Sequence, residues 1–127
     1  MEKDKHIFFE EYIMIVQRND MKIEVKERMR DGEGSAQLRY LLDAEKEKNA
    51  RMFAEVTLEP GSSIGYHQHV SETEYYFILS GTGTVNDDGK EVQVKQGDAV
   101  ITGNGASHSI KNTGTIPLVF HAVIVTY

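Results

Sequence analysis

The chain has 127 residues and a formal charge of -6, from 20 acidic against 14 basic side chains, which is the size of one domain with a real core. A net charge of that sign argues against a surface built to neutralise phosphates, so nucleic acid is not expected as a partner. There are no cysteines, so disulfides, thiolate metal sites and cysteine nucleophiles are excluded and any metal ligand must be histidine or carboxylate.

Residues 1–20 read as an N-terminal extension and residues 21–127 as a single domain. The apolar stretch from Ile7 to Val16 is cut by Glu10 and Glu11, is too short to span a bilayer and ends in no small-residue cleavage site. A cytoplasmic protein is expected. From Met21 onward the apolar residues fall in short runs of period two separated by Gly, Asp and Asn, the pattern of a many-stranded antiparallel fold. Met21, Ile23 and Val25 alternate with charged residues. Asp43 to Ala50 has helix propensity but no apolar stripe, and reads as a surface loop or a single helical turn.

Arg51 to Leu58 predicts a half-buried strand with Met52, Ala54, Val56 and Leu58 on one face, ended by Pro60-Gly61. Further strands are predicted at Glu74 to Leu79, Gly83 to Asn86, Glu91 to Val94, Ala99 to Thr102 and His108 to Asn112, with Asp87-Asp88-Gly89 as a hairpin turn. Pro117 to Tyr127 is almost continuously apolar. Such a strand is covered on both faces, by the core and by a second sheet or subunit, so a homodimer is expected.

The segment from Gly61 to Gly81 carries the chemistry. His67 and His69 stand two apart, and an extended backbone aims both imidazoles to one side. Glu74 follows a turn and opens the next strand, so its carboxylate can swing back toward them. His108 follows the glycine-rich turn Gly103-Asn104-Gly105. Three imidazoles and a carboxylate are a good cage for a borderline first-row divalent cation.

These two segments resemble the paired motifs of the cupin superfamily. The first motif is Gly, five residues, His-x-His, four residues, Glu, six residues, Gly, and it is met at Gly61, His67, His69, Glu74 and Gly81. The second is Gly, five residues, Pro-x-Gly, two residues, His, three residues, Asn, and it is met at Gly97, Gly105, His108 and Asn112. Gly103 stands where the motif has Pro, which should loosen the turn before His108. The short interval from Gly81 to Gly97 is similar to that of compact single-domain microbial members.

The resemblance covers about Leu38 to Tyr127. It implies an all-β fold, a double-stranded β-helix or jelly-roll barrel with added N-terminal strands. It also implies His67, His69, Glu74 and His108 as metal ligands. Mn2+ or Fe2+ is the expected ion, and Ni2+ or Zn2+ is also compatible, because affinity series do not name the physiological metal.

Around the ligands, Glu74, Tyr76 and Ile78 share one strand face, with Tyr75, Phe77 and Leu79 on the other. Pocket candidates are Tyr66, Tyr76, Ile78, Met52 or Phe53, and one parity class of the last strand: Leu118, Phe120 and Ala122, or Val119, His121 and Val123. His121 reads first as a core or interface residue, and His6 as a solvated tail residue. Glu72 fails the motif spacing and is expected on a loop, while Arg39 and Arg51 read as a solvated face.

The function expected is a metal-dependent enzyme acting on a small polar molecule, of dioxygenase, oxalate-decarboxylase-like or sugar-isomerase-like type. The alternative is a non-catalytic metal-dependent binder or sensor of a small molecule. Neither a membrane nor nucleic acid is expected as a partner.

Overall fold

The computed structural model describes residues 15–127, so His6 and most of the apolar N-terminal stretch lie outside the described residues. Ten strands follow in chain order: β1 (Ile23–Glu27), β2 (Ser35–Tyr40), β3 (Ala50–Leu58), β4 (Ser63–Gln68), β5 (Glu72–Ser80), β6 (Thr82–Asp87), β7 (Lys90–Lys95), β8 (Ala99–Gly103), β9 (Ser107–Lys111) and β10 (Leu118–Thr126). They make two antiparallel sheets, one of six strands in the order β1-β2-β3-β10-β5-β8 and one of four in the order β4-β9-β6-β7. This is a jelly-roll arrangement: β10 lies between β3 and β5, and the inward faces of both sheets enclose a single core.

The parity of β10 comes from its two neighbours. Leu118, Phe120, Ala122 and Ile124 are buried, opposite buried Leu58, Val56 and Ala54 of β3. Val119, His121 and Val123 point outward and are only half covered within the chain. Phe53 meets His121 edge-on there, with ring centroids 5.7 Å apart. His121 therefore lies on the outer face of the sheet and not in the barrel.

The turn between β6 and β7 is the tight kind that Asp-Gly favours. Asp88 (φ 52) and Gly89 (φ 102) both take left-handed backbone, as a two-residue type I′ loop requires. Asp43 to Ala50 contains one short 3-10 turn, Ala44–Lys46, capped by the Asp43 side chain.

β1 forms where the Met21-Ile23-Val25 alternation placed a strand, but Ile23 and Val25 are exposed. β1 is the sheet edge, so its apolar residues have no layer above them. The bend from β1 into β2 is tight. Gly32 and Gly65 bring it against β4 so closely that a Cβ on Gly32 would collide with the Ser63 carbonyl, and one on Gly65 with the Arg30 carbonyl.

Candidate metal centre

β4 carries His67, its end leads into His69, β5 carries Glu74 and β9 carries His108, so the ligand candidates come from both sheets. Simple alternation would set Ile64 and His67 on opposite faces. A register shift between them resolves the conflict: Ile64 pairs with Ile110 and His67 with His108, so three steps on β4 match two on β9. This bulge turns Ile64, His67 and His69 all inward.

The donor atoms of His67, His69, Glu74 and His108 lie within 4.8 Å of one another. His69 Nε2 is 3.1 Å and His67 Nε2 is 3.2 Å from His108 Nε2. Glu74 Oε1 is 3.0 Å from the Nε2 atoms of His69 and His108 and 3.8 Å from that of His67. Ligands about 2.1 Å from one ion and at right angles would be about 3.0 Å apart, so the spacing fits a shared cation.

The far side of each ring is also fixed. His67 Nδ1 donates to the Gly65 carbonyl at 2.6 Å, and His69 Nδ1 donates to Glu72 at 2.5 Å. His108 Nδ1 meets the Thr102 hydroxyl at 2.8 Å. Protons on the outer nitrogens leave the Nε2 lone pairs facing one point, where they repel unless a proton or cation lies between them. Tyr76, fully buried, stacks on the His108 ring at 4.9 Å and 16°.

Burial pushes the Glu74 carboxyl up, but the surrounding imidazoles of His108, His67 and His69 outweigh it and hold the group well below the usual carboxylate range. The Glu74 hydrogen bond raises His69 against the effect of burial, with Glu72 adding to the rise. Burial lowers His108 although Glu74 opposes it. Burial likewise drives the Tyr76 phenol far up, and the nearby Glu74 charge adds to that.

Glu72 is not on a loop but is the first residue of β5, and it is buried. Arg51 grips it with two bonds, Nε to Oε1 at 2.7 Å and Nη2 to Oε2 at 2.8 Å. That hydrogen-bonded ion pair, with His69 assisting and burial opposing, holds the Glu72 carboxyl down to about 2. Arg51 is thus a carboxylate clamp rather than a solvated face. Arg39 too faces a carboxylate, Glu55, at 3.8 Å.

A cavity of about 560 Å³ opens over the cluster, lined by His67, His69, Glu74, Tyr76 and Met52. His108 lies behind them, fully buried. Ile78 and Phe120, named as pocket candidates, are core residues away from that lining. Tyr66 faces out, 52% exposed, because it neighbours inward His67 on an extended chain. It lines a separate surface hollow with Asn86 and Glu91.

Gly103 stands just before the turn that leads to His108. It ends β8, where a Cβ would collide with the Thr73 side chain, so glycine permits the close approach of β8 to β5. The left-handed positions of the turn are Asn104 and Gly105. Asn112 is buried and knits the far end, donating to the carbonyls of Leu58 and Ile116, both at 2.8 Å, and accepting from Gly114 N–H at 2.9 Å.

A family model described as the cupin domain matches residues 54–125, more than half of the chain. The chain belongs to the cupin family. Among cupins, it is 45% identical over 113 residues to a protein called oxalate-binding protein from Thermotoga maritima, covering 88% of this chain and 93% of the relative. A crystal structure from the same organism, described as a predicted oxalate decarboxylase, superposes with a TM-score of 0.85 at 43% identity, covering 90% of this chain and all of the other. A sugar phosphate isomerase of the cupin superfamily from Silicibacter pomeroyi shares the fold, with a TM-score of 0.72, 19% identity and coverage of 89% of this chain and 76% of that one.

The motifs did not single out Arg51 and Thr102, and they gave Glu72 only as a rejected ligand. For Thr102 a signal was present: a polar residue at the inward position of a strand whose neighbour Val100 is buried. For Arg51 and Glu72 none was, since their meeting depends on β3 and β5 both flanking β10.

Proposed function

We propose that the chain holds one first-row divalent ion, Mn2+ or Fe2+, through His67, His69, Glu74 and His108, and uses it to anchor a small carboxylate anion of the oxalate class. One observation carries this reading: the outer Nδ1 atoms of three imidazoles are engaged, and their inner donor atoms converge with Glu74 at the base of a cavity. The name of the 45%-identical relative supports the ligand class. When bound, such an ion is a Lewis acid that polarises a chelated carboxylate and, as Mn or Fe, has redox states available.

The chain's own residues do the rest. Glu74 stays ionised, and its charge lowers the net charge the bound ion presents to its ligand. Glu72 and Arg51 fix the tautomer and direction of His69. Tyr76 closes the floor in front of His108, stacked on its ring, and Met52 gives the cavity an apolar wall.

Turnover at this site, of oxalate-decarboxylase-like, dioxygenase or sugar-isomerase-like type, is the second reading. It is favoured by the description of the structure at TM-score 0.85. We further propose a cytoplasmic homodimer of one domain, residues 21–127 preceded by an extension, with the outer face of the six-stranded sheet as the dimer contact. Phe77 and Ile101 there are 48% and 62% exposed. Among the described residues no helix is long and apolar enough to cross a membrane.

Untagged protein should carry about one transition-metal ion per chain, lost in the His67→Ala/His108→Ala variant. Calorimetry should show oxalate binding to Mn2+-loaded protein and none to the chelator-stripped form. A stable protein with no metal affinity, or oxalate binding indifferent to the metal, defeats the reading. Oxalate, keto acids, diols and sugar phosphates then test turnover: a rate above that of Glu74→Ala makes it an enzyme, and equality makes it a binder.

A further inference from the structure

The cavity above the metal centre has a second charged border. Arg28 and Arg30, on the bend between β1 and β2, line it together with His67, His69 and Glu74. The Arg30 carbonyl packs against Gly65, two residues before His67, which sets Arg30 at this end of the bend. The remaining arginines that the structure describes, Arg18, Arg39 and Arg51, each face a carboxylate. Among the described residues Arg28 and Arg30 face none.

The backbone that carries them is held in an unfavourable conformation. Arg28 (φ 50), Arg30 (φ 54) and Asp31 (φ 64) are all left-handed and none is glycine, a cluster that persists only where the surroundings over-determine it. Here they do. Arg28 N–H donates to Gly34 O at 2.8 Å, Asp31 N–H to Arg28 O at 2.9 Å and Gly32 N–H to Met29 O at 2.9 Å, while Gly32 and Gly65 lock the bend against β4. Strain of this kind gathers at ligand clamps.

Charge and volume agree. Glu24, Glu27 and Glu74 on the lining are matched by Lys26, Arg28 and Arg30, and Arg51 by Glu72, so the charge of a bound divalent ion is left for the ligand to balance. A cavity of about 560 Å³ lies in the range of roughly 300–1,000 Å³ that holds drug-sized ligands, far more than a two-carbon anion needs.

We propose that the ligand anchored at the metal carries a second anionic group, a carboxylate or a phosphate set apart from its chelating end, and that Arg28 and Arg30 hold that group. This rests on the metal-anchored reading above. It makes the two arginines specificity-determining residues, and it makes a two-ended anion, rather than oxalate itself, the preferred ligand.

A matched series tests it on Mn2+-loaded protein by calorimetry at low salt. Lactate offers a chelating 2-hydroxy acid alone, malate adds a remote carboxylate and 3-phosphoglycerate adds a remote phosphate. At least one of the two-ended anions should bind on the order of 10-fold tighter than lactate, and the winner names the group. Arg28→Asn with Arg30→Asn keeps residues that tolerate left-handed backbone. It should abolish the preference while leaving metal content, melting temperature and oxalate affinity unchanged. Two-ended anions that bind no tighter than lactate, or a preference that survives in the double variant, overturn the inference. Failure of oxalate and lactate alike on the loaded protein would instead remove the metal-anchored reading beneath it.

Discussion

The six-stranded sheet presents two faces built from alternate residues of the same strands, and they are opposites in chemistry. Inward, β5 offers Glu74, Tyr76 and Ile78 and β10 offers Phe120, Ala122 and Ile124, all buried. Outward, the same strands offer Tyr75 and Phe77, and His121, Val123 and Val125, exposed or half covered. A period of two makes a buried interior and a half-exposed outer face out of one stretch of chain, so a one-residue slip would exchange them.

The comparison can be broken most completely at the proposed metal site. His67→Ala with His108→Ala should abolish stoichiometric metal binding, read by elemental analysis, while an outward change such as Phe77→Lys leaves metal content intact. Next comes packing. Phe120→Ala should destabilise by about 3–5 kcal/mol in urea titration, whereas His121→Ala, one residue along and losing only its edge contact with Phe53, should cost about 0.5–1.5 kcal/mol. Equal losses would mean the two faces are not distinct.

The support behind the ligands is a smaller effect. Glu72→Gln keeps the shape but removes the charge that holds the His69 proton, and should weaken metal affinity roughly 10- to 100-fold in competition with a chelator. Phe77→Lys should convert the proposed dimer to monomer in light scattering.

The smallest effect belongs to the outer-face ion pair. The hydrogen bond from Arg18, at 2.8 Å, lowers the Glu55 carboxyl, with Arg39 and His121 adding to it and burial opposing. A depressed carboxylate stabilises fully above its unfolded value of about 4.3, and that contribution disappears as pH falls through the lower folded value. Glu55→Gln should therefore be less stable than wild type at pH 7, and the gap should narrow on acidification below about pH 4.

Most of the fold was legible because its strands obey their period. Met52, Ala54, Val56 and Leu58 alternate cleanly on β3, and Asp88-Gly89 can hardly form anything but a tight hairpin turn. β2 was not, since Ser35–Tyr40 mixes polar residues on a strand whose buried members are only Ala36 and Leu38. The Ile23 and Val25 alternation marked a strand but not its exposure, because exposure depends on what is stacked above an edge.

Of the site, the sequence alone determined the four ligand candidates and the cupin likeness, because spacing along extended chain dictates which imidazoles share a side. Tertiary structure decided the rest. The bulge in β4 aims His67 and His69 inward beside Ile64, the packing of β10 between β3 and β5 sends His121 out, and the crossing of distant strands brings Arg51 onto Glu72. It also decided that Arg28 and Arg30 border the cavity. None of these is local: each follows from which strands become neighbours, and a one-dimensional pattern carries side but not neighbour.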